Sequence, residues 1–168
     1  MPKIIENIPE RLVTEACRQV KEMGYGAMTI RSVAKECGVG VGTVYNYYSS
    51  KEALVAAFML EDWKDCIAKI EACAESAQGR EPVLWAIHEN LLEFMKRHEG
   101  ILRDEAAAVS FTGASGKYHN LLRSQLAKPL KKFCNDAFTA DFIAEAMLTW
   151  TVAGESFEKL NGVLKRIF

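Results

Sequence analysis

The chain has 168 residues, 49% of them hydrophobic and 26% charged, with a net charge of −1. That composition belongs to a globular chain with one large or two small helical domains sharing a core, and excludes a disordered one. The near balance of charge excludes a global positive field, so any attraction for nucleic acid has to come from local placement of groups.

The first segment, MPKIIENIPERL, lacks the long apolar stretch of a signal peptide. A helix is expected over about 8–23, capped by Asn7 with Glu10, with Ile8, Leu12, Ala16, Val20 and Met23 as its inner stripe. Thr29 is placed to cap a second helix on which Ile30, Val33 and Ala34 share a face. Ser32 stands where an acidic residue would complete a capping box. Gly38 sits where a left-handed residue should end that helix. A third helix, about 41–48, starts behind Gly40 and turns Val44 and Tyr48 inward. Val41, Gly42, Thr43, Tyr45, Asn46 and Tyr47 are left for its outer faces. A fourth helix opens on Lys51 with Ser49 or Ser50 as cap and Glu52 in its first turn, and reaches about Ala77.

QGREP (78–82) breaks the chain, with Pro82 suited to the first turn of a fifth helix that runs to about His98 and ends at Gly100. A sixth helix is expected over about 101–111, followed by the loop TGASG (112–116). A seventh covers about 117–135, kinked at Pro129. Thr139 with Asp141 starts an eighth, about 140–153, whose apolar residues wrap widely, and Gly154 separates it from a ninth over about 155–168. The run AEAMLTWTVAG (144–154) is too short to span a bilayer, so no membrane association is expected. Little β-type alternation occurs anywhere, so the fold class is all-α.

Cys17, Cys37, Cys66, Cys73 and Cys134 are odd in number and form no C-x-x-C pair. They read as reduced, buried small residues in a cytoplasmic protein. His88, His98 and His119 lack zinc-site spacing, so neither a metal nor a cofactor is expected. No nucleophile elbow, zinc-protease motif or Gly-rich phosphate loop is present, which argues against an enzyme.

The stretch GYGAMTIRSVAKECGVGVGTVYNYYSSKEAL (24–54) has the layout of a helix-turn-helix followed by a capped helix. Gly24-Tyr25, Thr29, Val33-Ala34, Gly38-Val39, Gly42-Thr43-Val44-Tyr45, Tyr47-Tyr48 and Ser50-Lys51-Glu52 fall in one ungapped order. In that order they resemble the tetracycline-repressor (TetR/AcrR-like) transcriptional regulators. Gly40 replaces the usual Ser or Thr cap, Tyr48 the usual Phe, and Met28 a common Thr or Ser. The resemblance covers the N-terminal third; the remainder agrees in helical character and length.

The resemblance implies a DNA-binding head over 1–50 and a helical effector-binding and dimerisation bundle over 51–168. It also implies a homodimer on a near-palindromic operator, most often a repressor released by a small molecule. The expected DNA-binding residues are Thr29, Arg31, Val41, Gly42, Thr43, Tyr45, Asn46, Tyr47 and Lys51. Hydroxyls and the lysine suit phosphates, Asn46 and Arg31 suit base edges or phosphates, and Val41 suits a thymine methyl. Tyr45 and Tyr47, two apart on a helix, cannot both be buried on one face. Candidates for lining an effector cavity are Met59, Trp63, Cys66, Trp85, His88, Phe94, Phe111 and Trp150. Such a lining would suit an apolar or aromatic molecule. The alternative is a helical protein-interaction module, or an activator with no small-molecule effector.

Overall fold

The computed structural model of the chain describes residues 7–105, 107 and 115–167. Among them every regular element is helical. The helices are α1 (Ile8–Met23), α2 (Ile30–Cys37), α3 (Val41–Tyr47), α4 (Lys51–Ser76), α5 (Arg80–Arg97) and α6 (Glu99–Leu102). They continue with α7 (Ser115–Leu130), a short 3-10 turn (Lys131–Phe133), α8 (Ala137–Val152) and α9 (Phe157–Ile167).

The chain divides into two compact units, one of Met1–Glu61 with His98–Gly113, the other of Asp62–Arg97 with Ala114–Phe168. In the first, Leu12 and Ala16 of α1, Val33 and Ala34 of α2 and Val44 of α3 form one buried cluster. Leu54, Val55 and Phe58 of α4 complete it, so this unit extends past residue 50 to the first turns of α4 and takes in Ile101 of α6. Met28 is fully buried there, which explains an apolar residue where a hydroxyl is usual. In the second unit, Trp63, Cys66 and Ile70 of α4 pack with Leu84 and Ile87 of α5, Leu126 of α7, Ile143 and Met147 of α8, and Leu160 of α9. α4 therefore contributes to both cores. Its 26 residues make a rod of about 39 Å at the usual helical rise.

Several expected boundaries move. Asn7 does not cap α1 with its side chain; it takes a left-handed backbone (φ 55°) and makes no cap bond. Met23 is exposed, because α1 ends there at Gly24 (φ 84°) and Tyr25 fills the buried position instead. Ser32 does complete a capping box: its Oγ accepts from the Thr29 amide (3.1 Å), and its own amide donates to Thr29 Oγ1 (3.0 Å). Gly100 lies inside α6 rather than ending α5, and the expected sixth helix is short. Most of the remainder of that expected helix, and 112–114 of the TGASG loop, lie outside the described residues, while Ser115 already begins α7. Pro129 lies inside the last turn of α7, which ends at Leu130 and passes into the 3-10 turn, so the α-helix stops short of the expected 135. α8 starts three residues earlier than expected, because Asp136 rather than Thr139 is the cap: its Oδ1 accepts from the Thr139 amide at 2.7 Å.

Candidate nucleic-acid interface

The geometry of the first unit is set by two short helices and the turn between them. Gly38 closes α2 in the left-handed region (φ 66°), and its amide returns to the Lys35 carbonyl at 3.1 Å while Val39 bonds Ala34 at 3.0 Å. Gly40 then enters α3 in extended backbone without a side-chain cap. Within α3 only Val44 is fully buried. Tyr48 is half-buried against the same core, with its hydroxyl 3.4 Å from the Pro9 carbonyl. Tyr45 and Tyr47 are 53% and 50% exposed, and Gly42 and Asn46 are exposed beside them. Thr43 and Val41 are half-buried at the edge. A built Cβ at Gly42 would meet no atom within 4 Å, so the absence of a side chain there leaves an open approach to the backbone.

Thr29 and Arg31 are exposed at the start of α2. The start of α2 is anchored through a buried amide that sequence reasoning missed. Gln19, 1% exposed on α1, accepts from Ser32 Oγ at 2.6 Å and donates to Glu15 Oε1 at 2.8 Å. Glu15 in turn is held by Arg18 (2.6 Å), and that guanidinium keeps its carboxyl below the usual range. The signal was available: a Gln in the apolar stripe next to Val20 has to find partners when buried.

Lys51 behaves differently from a free surface lysine. Its ammonium bonds the Tyr25 carbonyl, reaches toward the Gly26 carbonyl (3.5 Å), and lies 4.1 Å from the centre of the Tyr25 ring. Burial lowers its pKa, against the opposing charges of Glu52 and Asp104. The Tyr25 hydroxyl donates to Glu52 Oε1 at 3.0 Å, and Ser50 Oγ accepts from the Ala53 amide at 3.2 Å. The start of α4 is thus fastened to the turn before α2. Arrayed this way, two tyrosine hydroxyls, one asparagine, two threonines, one arginine and bare backbone present donors to solvent from a rigid support.

The residues named for an effector cavity lie in several different surroundings. Met59 packs against the core of the first unit. Trp63 is buried in the second, with its indole N–H on Gln125 Oε1 (2.6 Å) and its ring edge-on to Phe94 (5.5 Å). Cys66 is buried, and burial pushes its thiol up to about 11. His88 is buried on Thr151 Oγ1 (2.9 Å). Trp150 is 52% exposed on α8, and Phe111 lies outside the described residues. Trp85 instead edges an open groove of about 600 Å³ that also takes in Pro82, Ala86 and Phe157. All five cysteines are unbridged, and among the described residues no cluster of ligating side chains could hold a metal. No helix among them is long and apolar enough to cross a membrane.

The family model of bacterial regulatory proteins, tetR family, matches residues 12–58, the segment just described. The HTH-type transcriptional regulator UidR of Escherichia coli (strain K12) is 31% identical over 58 residues, which are 34% of this chain and 30% of UidR. The chain thus matches less than a third of that relative's length. The fatty acid metabolism regulator protein of Bacillus subtilis (strain 168) is 25% identical over 159 residues, covering 93% of this chain and 74% of that one. The crystal structure of the TetR family repressor AlkX from Dietzia sp. strain DQ12-45-1b superposes with a TM-score of 0.67 at 16% identity, covering 94% of this chain and 93% of AlkX. Residues 12–58 thus match the tetR family of bacterial regulatory proteins, and the fold along the chain is like that of AlkX.

Proposed function

We propose that the chain is a dimeric DNA-binding transcriptional regulator of the cytoplasm, a repressor released from a near-palindromic operator by a small apolar or aromatic molecule. The observation that carries the reading is the division of α3: Val44 is fully buried while Tyr45, Asn46 and Tyr47 face solvent from the helix that the family match includes. Sequence-reading helices place side chains of their N-terminal part against base edges, with hydroxyls and lysines gripping phosphates at the rim. Thr29, Arg31, Val41, Thr43 and Lys51 take those places. The near-neutral charge is compatible with this role because oriented amides and hydroxyls hold phosphate without a broad basic patch.

Dimerisation is supported by the apolar residues that α8 and α9 leave in solvent: Phe138, Phe142, Trp150 and Val152 on the first, Val163 and Ile167 on the second. Clusters of this kind mark association surfaces. Repression is supported by AlkX being a repressor, and an apolar effector by the groove beside Trp85. A ligand would act through α4, the helix that supplies side chains to both cores. For a hundredfold release it must prefer the DNA-free state by about 2.7 kcal/mol, and operator DNA must weaken ligand binding by the same factor.

The test is selection of bound duplexes from a random pool, followed by titration at several salt concentrations. A two-half-site sequence should emerge, and its affinity should fall steeply with salt. Failure to enrich any sequence, with the chain folded, would leave the protein-interaction alternative.

A further inference from the structure

The groove beside Trp85 lies wholly in the second unit, between α4, α5 and the start of α9. Its floor is apolar and aromatic: the Trp85 indole stands edge-on to Phe157 with ring centres 4.8 Å apart, and remains 43% exposed. A half-exposed tryptophan in a concavity of this volume is the usual lining of a small-molecule site.

The charges around it are not symmetrical. Lys69, on the α4 wall, is offset by Glu93 at 3.3 Å. Glu81, at the other end, is offset by Lys165 at 2.7 Å and held by Asn161 at 2.8 Å. Glu89 in the lining and Glu158 next to Phe157 make no ion pair among the described residues. Both carboxylates act on His88, whose ring lies 6.4 Å from that of Trp85 and 5.8 Å from that of Phe157. His88 does not answer them with a charge, because burial disfavours its protonated form. The groove therefore joins an aromatic floor to the Glu89 carboxylate in its lining, with Glu158 next in sequence to Phe157. A cation over an indole face gains from the ring's quadrupole as well as from the carboxylates.

We propose that this groove is a binding site for a lipophilic organic monocation, its apolar body against Trp85 and Phe157 and its ammonium group near Glu89. Binding itself does not depend on the DNA-binding reading; only its consequence for DNA release rests on that reading.

The full chain, without DNA, is titrated by calorimetry with phenylbutyl-trimethylammonium and, separately, with phenylpentanoate, an anion of similar shape. The ammonium compound should bind at one site per chain, about tenfold more tightly than the carboxylate. Glu89→Gln, a change at an exposed position, should weaken it about three- to tenfold while leaving phenylpentanoate unchanged or tighter. Trp85→Leu should weaken both. Equal or tighter binding of phenylpentanoate overturns the proposal, as does indifference to Glu89→Gln or the absence of saturable binding by the ammonium compound. DNA affinity of the same preparation is measured separately, so a chain that binds the ammonium compound but no duplex loses the regulatory reading and keeps the groove.

Discussion

The ammonium of Lys51 is bonded to the backbone carbonyl of Tyr25 and sits 4.1 Å from the centre of that residue's ring. An ammonium has three donors, and the carbonyls of Tyr25 and Gly26 occupy two directions, leaving one for a phosphate. The observed fastening by the lysine and its proposed phosphate contact are separable by measurement. Lys51→Ala should destabilise the first unit by about 1–2 kcal/mol, the range for losing a charge-assisted hydrogen bond at a half-buried site. It should also weaken all duplexes alike and lower the salt slope by about one. A loss of affinity with an unchanged slope would assign Lys51 to fastening α4 alone.

Gly38 and Gly42 should respond oppositely to alanine. Gly38 has φ 66° with space around it, so Gly38→Ala meets backbone strain and not a clash, and should cost about 1 kcal/mol. Gly42 lies inside α3 in open space, and Gly42→Ala should stabilise the unit by up to about 1 kcal/mol. If the face of α3 meets DNA, the same methyl should reduce affinity. Chemical denaturation and duplex titration on both variants check the pair, and a Gly42→Ala chain that binds as well as the parent would move the DNA surface off this face.

His88 gives the second unit a pH dependence. Burial lowers its pKa below the usual 6.5, against the opposing pull of Glu158 and Glu89. Between the lowered value and 6.5 the unfolded chain holds the extra proton, so stability is fully present above 6.5 and falls as pH drops toward the folded-state value. Melting temperature should decline from pH 7 to 5.5, and His88→Gln should flatten that decline. The carboxylates with lowered pKa values titrate below this window. An equal decline in both proteins would show that His88 is not its source.

Phe142 lies on the exposed side of α8, with Phe138 at 76% exposure one turn before it. Phe142→Glu puts a charge at the centre of the proposed association surface and should convert a dimer to a folded monomer by light scattering. Affinity for a two-half-site duplex should fall, while helix content stays the same. A parent chain that is already monomeric at micromolar concentration would refute the dimer.

The head was legible because local chemistry dictated it. Thr29, Gly38 and Lys51 each mark a helix end through a cap, a left-handed residue or a first turn, and the helices begin and end at those marks. Gln19 was missed because a polar residue in an apolar stripe reveals its partner only when α2 is placed against α1. The Asp136 cap was overlooked in favour of Thr139, although the aspartate is the residue whose oxygen faces the free amide. The tryptophans were harder still. Apolar residues run around much of α4 and α5, so periodicity alone does not separate Trp63, inside, from Trp85, at the groove. That distinction depends on which neighbours each helix acquires.

The three indoles also occupy three different surroundings. Trp63 is 2% exposed and hydrogen-bonded to Gln125, while Trp85 and Trp150 stand in water at the groove and on α8. Intrinsic fluorescence of the dissociated chain should therefore separate into a blue, quencher-resistant emission from the interior and two red emissions open to iodide or acrylamide, the one on α8 becoming protected on association. Replacing Trp150 with phenylalanine leaves one red reporter at the groove, and replacing Trp85 leaves one on α8. The native chain thus carries its own optical labels for occupancy and for subunit association.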